Sequence, residues 1–332
     1  MNELHLYLGI TFLFFYLGCL HKNPVHKAFF TFAFIVFSFI LRFSIDVSWG
    51  KDYMAYYHLY RMEKPEKLLD YFTKEPYLYL LHTFCSNLLD TRKEVFQLMF
   101  YFNFIIVNCF FIWLIWAENV RTWKKMIFFS LYYLLFSYVL LRNGIPYVIF
   151  AYFIHQIYND KKTTKLVYLT PFMHFSSTVP IVLIFHKSKK YFYYFTIVFS
   201  LLVSVIFVGT LLNRPELELI NSKFNAYSEK QIFSIIHYIF FAVFISATFI
   251  AYLFLRKRFF HPVIITTLAL YILVFFISPI AAFRYSPYLL TGLIFIRVDD
   301  TKYKRFNNLM DYASIVILFH FIYTFYDTHE IS

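Results

Sequence analysis

The sequence predicts an all-α protein: a polytopic bundle of transmembrane helices with about ten crossings at roughly 20 residues each, plus short re-entrant or interfacial helices. Three observations carry this. Of 332 residues, 60% are hydrophobic and only 15% charged, against about 25% charged in ordinary soluble domains. The apolar residues gather into long runs that no water-soluble core could bury. Lys and Arg fall in short clusters between those runs, which is how membrane topology is written.

The spans follow in order. Apolar stretches lie near 4–20, 28–45, 95–117, 191–212, 232–255, 262–282 and 309–326. The first shows no basic leader or small-residue cleavage site and is expected to be a retained helix. Regions 126–158 and 262–298 are each long enough for two short crossings if the chain turns at a central arginine. Those expected turns are Leu141-Arg142-Asn143-Gly144-Ile145-Pro146 and Phe283-Arg284-Tyr285-Ser286-Pro287, where Gly and Pro supply the break. The stretch 75–89 is too short to cross and is expected to form an outer interfacial or re-entrant helix.

Charge orients the chain. Connections 21–27, 118–125, 159–165, 186–190, 256–261 and 297–305 are short and mostly basic, which places them in the cytoplasm. Loops 46–94 and 213–231 mix acids and bases and are expected outside. The parity closes only if 166–185, which holds Pro171, His174 and Pro180, enters and leaves on one side as a broken segment. Residues 1–332 thus form one integral membrane domain, with no soluble domain or repeat.

The net charge of +12 suggests no nucleic-acid partner, because the basic residues do not share one soluble face. Cys19, Cys85 and Cys109 lie apart in apolar runs without a metal-ligand spacing, so neither a disulfide framework nor a metal site is indicated.

Few charges sit in or beside the spans, where they are costly and usually face a cavity. Arg142 and Arg284, at the tips of hairpins too short to reach the outer surface, either clamp a phosphate bidentately or snorkel to lipid. Asp52, with Tyr53 and Tyr56 beside it, suits a sugar: the carboxylate takes a hydroxyl proton while the rings stack. The same segment also suits a plain aromatic belt. His174 is either a general base or phosphate ligand or a packed core residue; His155, His237 and His320 are expected to be structural.

The order of these motifs resembles the EpsG-like branch of the Wzy-type polysaccharide polymerases. The residues carrying the resemblance are Arg42, then Gly50-Lys51-Asp52-Tyr53-Met54-Ala55-Tyr56, Glu75-Pro76 opening an aromatic-rich helix, Arg142, Met173-His174-Phe175-Ser176-Ser177, and Arg284-Tyr285-Ser286-Pro287-Tyr288. The resemblance implies a bacterial inner (plasma) membrane glycosyltransferase with an outward active site, making O-antigen, capsular or exopolysaccharide from polyprenyl-diphosphate-linked repeat units. Asp52 or His174 would be the base, with Arg42, Tyr53, Tyr56, Glu75, Arg142, Arg284 and Tyr288 binding substrate. No metal or other cofactor is required. Partners would be the lipid-linked donor and acceptor, the bilayer, and a chain-length regulator and flippase. An O-antigen ligase or related transferase, a lipid-linked oligosaccharide flippase and a membrane acyltransferase are the competing functions. A flippase would be expected to show charges in both halves and paired repeats, whereas here the unusual polar residues gather on one side.

Overall fold

The structure, a computed structural model, describes residues 2–49, 53, 57, 76–174, 177, 182–188, 190, 235–277, 279–296 and 300–328. Every regular element among them is helical. Five helical stretches are long and apolar enough to cross a membrane: Glu3–Leu20, Pro24–Ser44, Arg92–Trp116, His237–Phe260 and Tyr303–Phe325. The expected span at 191–212 and outer loop at 213–231 lie outside the described residues.

The chain groups into two compact units. The first comprises Met1–Thr163, Phe172–His174 and Ile294–Ser332, and the second Thr164–Pro171 and Phe175–Leu293. The first unit opens with the hairpin of α1 (Asn2–Leu20) and α2 (Pro24–Ser44). Asn23 starts α2 by accepting the Val25 N–H at 2.9 Å, and Pro24 stands at a first-turn position where its missing N–H costs nothing. The short helix α3 (Pro76–Ser86) and the long α4 (Arg92–Trp116) follow. Thr91 caps α4, its hydroxyl accepting the Glu94 N–H and donating to the Glu94 carboxylate at 2.6 Å. Next come α5 (Thr122–Leu134), a π-helical turn (Leu135–Val139) and α6 (Gly144–Tyr158). The expected break at Arg142 is therefore present, between the π-helical turn and α6.

Aromatic rings fill the core of this unit as well as facing lipid. Phe15 stacks on Phe129 at 4.0 Å between centroids, and Phe129 in turn on Tyr133 at 4.5 Å and on Phe321 at 5.1 Å. Where lipid is as apolar as the protein interior, helix association rests on packing contacts. Interlocking rings supply these, at about 0.5–1.5 kcal/mol per pair beyond their burial.

The segment expected to be broken is broken: its described residues form a 3₁₀ stretch (Lys165–Leu169), the four-residue α7 (Thr170–Met173) and a 3₁₀ turn (Leu183–Phe185). The second unit continues with α8 (Ile235–Leu255), a 3₁₀ turn (Arg256–Phe260) and α9 (Pro262–Ile277), and holds most of α10 (Pro279–Phe295). Phe244, Tyr271, Phe275, Ala282 and Leu289 form its core. The chain ends in α11 (Asp300–Ala313), a 3₁₀ turn (Ser314–Ile317) and α12 (Leu318–Thr328).

One expected turn is corrected. Arg284 does not stand at a hairpin tip; it lies inside α10, which runs from Pro279 through Pro287 to Phe295. The reason is local. Proline at 287 cannot donate to the Phe283 carbonyl, but the Ser286 hydroxyl donates to it instead at 2.7 Å, and the helix persists.

Candidate functional site

Arg42 occupies the last turn of α2 and is 1% exposed. Its guanidinium carbon lies 5.0 Å from the Tyr138 ring centre and 5.3 Å from that of Tyr101. Two aromatic faces thus hold the cation without neutralising it. Ser38, one turn earlier on the same face of α2, builds this seat. Its backbone carbonyl accepts from the Tyr138 hydroxyl at 3.4 Å, and its hydroxyl accepts from Asn108 Nδ2 at 3.0 Å. The Nε and Nη2 donors of Arg42 have no hydrogen-bond partner among the described residues. Buried donors are nearly always satisfied, so the unpaired guanidinium edge is unusual for a buried arginine at the end of a span.

Beyond α2 the chain turns at Asp46, whose carboxylate accepts both the N–H and the hydroxyl of Ser48 at 2.8 Å. The Ser48 N–H, foremost among several causes, holds the Asp46 carboxyl below its ordinary value. The turn sends Val47 and Tyr53 into one apolar cluster with Leu78 and Leu81 of α3, Val95, Phe96, Met99 and Phe100 of α4, and Leu141. Tyr53 is buried and stacks on Tyr57 at 5.6 Å, and Phe96 meets both rings edge-on. Arg92 pins this segment, donating to the Tyr57 carbonyl while its guanidinium lies 4.7 Å from the Tyr57 ring centre.

Leu141 precedes Arg142, so the same cluster anchors the arginine turn. Around that turn the π-helical segment releases the Phe136 carbonyl, which accepts from Asn103 Nδ2 at 2.8 Å. Gly144 is required here by contact. A Cβ at 144 would sit 2.6 Å from the Phe136 carbonyl oxygen and 3.2 Å from Asn103 Oδ1. Asn103 Oδ1, Ser137 Oγ and Asn143 Oδ1 are buried without a hydrogen-bond partner among the described residues. Arg142 itself is half-buried. The residue next to it, Asn143, carries one of these unpartnered atoms.

The structure thus brings together, in the first unit, the seat of Arg42, Tyr53, the helix opened by Pro76 and the turn of Arg142. His174 belongs to the same unit, half-exposed just after α7. Arg284 and Tyr288 belong to the second, one turn apart on α10; Arg284 is half-buried and Tyr288 1% exposed. Asp52, Tyr56 and Glu75 lie outside the described residues. Among the described residues no group of three or more His, Cys, Asp or Glu side chains could hold a metal ion.

A model of the EpsG family matches residues 27–332, nearly the whole chain. The chain belongs to the EpsG family. No curated protein and no solved structure matches it. The EpsG match begins near the start of α2 and so takes in Arg42, the Tyr53 cluster, the Arg142 turn, His174 and α10. Several residues around this EpsG protein's candidate site carry no motif of their own. Tyr101 and Tyr138 are two of 30 tyrosines, and their value comes only from the register that sets them on either side of Arg42. Arg92 and Asn103 are equally silent in sequence. Gly144 is the exception, since a glycine beside Arg142 in an apolar region already signals close approach.

Proposed function

We propose that this EpsG protein is a membrane glycosyltransferase that polymerises polyprenyl-diphosphate-linked oligosaccharide repeat units into O-antigen, capsular or exopolysaccharide. The observation that supports the reading is the packing of Tyr53, Leu78 and Leu81 of α3, and Leu141, the neighbour of Arg142, into one cluster. The unpaired edge of Arg42 supports the same reading, as an anion-directed cation at the end of a span.

In the proposed reaction the hydroxyl at the non-reducing end of one lipid-linked unit attacks the anomeric carbon of the glycan on another. A new glycosidic bond forms, the bond to diphosphate breaks, and polyprenyl diphosphate departs with the electron pair. The hydroxyl proton passes to Asp52 or His174. Arg142 and Arg284, with Arg42, stabilise the charge that develops on the leaving diphosphate, and Tyr53 and Tyr56 stack on sugar. Glu75 and Tyr288 complete substrate binding. The proposal includes about ten crossings of the plasma membrane by one integral domain, an outward active site, and a chain-length regulator and flippase as partners.

The test is deletion of the gene followed by gel analysis of the surface glycan. Loss of long chains with single capped units retained is the expected result. Complete loss of even single units would point to ligation or translocation instead.

A further inference from the structure

Arg42 lies near one end of α2; toward the other end, about 22 Å along the helix from Arg42 to Lys27, the first unit holds a cavity of about 400 Å³. Its walls come from the α1–α2 connection, the start of α2, the α4–α5 connection and α11. Four cations line it, Lys22, Lys27, Arg121 and Lys125, against two carboxylates, Glu118 and Asp311. Asp311 is already engaged: Arg121 lies 3.4 Å away, and the Trp123 N–H donates to it at 3.0 Å. Three ammonium groups therefore face the cavity with Glu118 alone to balance them.

Lys125 is the telling member. It is 3% exposed, and among the described residues its ammonium donates a single hydrogen bond, to the Ile115 carbonyl at 2.9 Å. A buried ammonium with unused donors is costly unless an anion joins it. The rim of the cavity fits a bilayer edge. Lys27 lies 5.1 Å from the Trp116 ring centre, and Trp116, Val25 and Phe29 present exposed apolar surface, the pairing of indole, cation and hydrocarbon found at headgroup depth.

We propose that this cavity is a phosphate-binding site filled from the bilayer by an anionic phospholipid headgroup, with Lys27 and Lys125 as its donors. Basic pockets between spanning helices on the positively charged side of a membrane protein suit such headgroups. The site is separate from the transfer chemistry and does not depend on the polymerase reading.

The test is native mass spectrometry of the purified full-length protein in mild detergent, titrated with phosphatidylglycerol, with phosphatidylcholine of the same chains, and with inorganic phosphate. Saturable binding of one phosphatidylglycerol, preferred over phosphatidylcholine, is expected. Lys27→Gln and Lys125→Met should each weaken it about fivefold or more, and Glu118→Gln should tighten it about fivefold. Glu118 is exposed and Lys27 half-exposed, so those two variants keep the test informative should Lys125→Met fail to fold. Displacement of the lipid by inorganic phosphate would overturn the lipid assignment and give the site to a soluble phosphate carrier. Equal binding of both lipids, or phosphatidylglycerol binding unmoved by Lys27→Gln and Glu118→Gln, would overturn the site itself.

Discussion

Replacing Arg42 with methionine should separate stability from function. Two cation–π contacts, at 5.0 and 5.3 Å, contribute about 2 kcal/mol each in a desolvated setting. Against them stand two buried donors without partners, each costing about 1–3 kcal/mol. These contributions nearly cancel, and an apolar side chain of similar length keeps the packing, so the substitution should be close to neutral for folding. We expect the apparent Tm of the purified Arg42→Met protein to stay within about 5 °C of wild type. Activity should not survive so well. If Nε and Nη2 hold an anion, two charge-assisted hydrogen bonds of about 1.5–3 kcal/mol each disappear. At about 1.36 kcal/mol per tenfold, that is a loss of 100-fold or more in polymer formation. The assays are thermal unfolding followed by fluorescence-detected size exclusion, and gel analysis of glycan in cells complemented with each variant at matched expression. Polymer above about a tenth of wild type, or a fall in Tm of more than about 10 °C, would refute the reasoning, the first by removing the anion role and the second by showing a structural one.

Gly144→Ala should lower the apparent Tm by several degrees and reduce polymer, because the added methyl meets the Phe136 carbonyl at 2.6 Å and overpacking of this kind costs about 1–3 kcal/mol; an unchanged Tm would mean that the turn is looser than described. The Asp46 carboxyl is held below its ordinary value by the Ser48 N–H, so its contribution to stability is present above pH ~4 and fades as pH falls through the lowered folded value; Asp46→Asn should lower the Tm modestly at neutral pH, leave the acid limit almost unchanged, and so flatten the acid end of a Tm-against-pH series. A single cysteine at 257, in a background lacking the three native cysteines, should resist an impermeant thiol reagent applied from outside, while one at 142 should react; labelling at 257 would overturn the orientation read from charge.

How far the sequence reaches can be judged from particular residues. The helices α1, α2 and α4 were legible because long apolar runs bounded by charge leave few alternatives. The break at Arg142 was legible because Asn143-Gly144 and Pro146 interrupt an apolar region. Arg284 was misplaced for a reason that periodicity does not carry. Pro287 reads as a break, and only the hydrogen bond from Ser286 to the Phe283 carbonyl explains why α10 continues. At the site, Arg42 and Arg142 stood out as charges in costly places. Tyr101 and Tyr138 did not, since their contact with Arg42 depends on how α4 and the π-helical turn pack against α2. Nor did the aromatic composition show that rings such as Phe15, Phe129 and Phe321 fill the interior.

The most direct test of the account is polymerisation by the purified full-length protein on a defined polyprenyl-diphosphate-linked repeat unit, with binding of the same lipid measured alongside. Wild type should give a ladder of products and release polyprenyl diphosphate. Arg142→Lys and Arg284→Lys should each cut the ladder strongly, because an ammonium keeps the charge but loses the planar fork. Asp52→Asn should abolish turnover while still binding lipid, or His174→Ala should do so if the histidine is the base. No ladder from active wild-type preparations, or near-normal ladders from both arginine variants, would contradict the central claim.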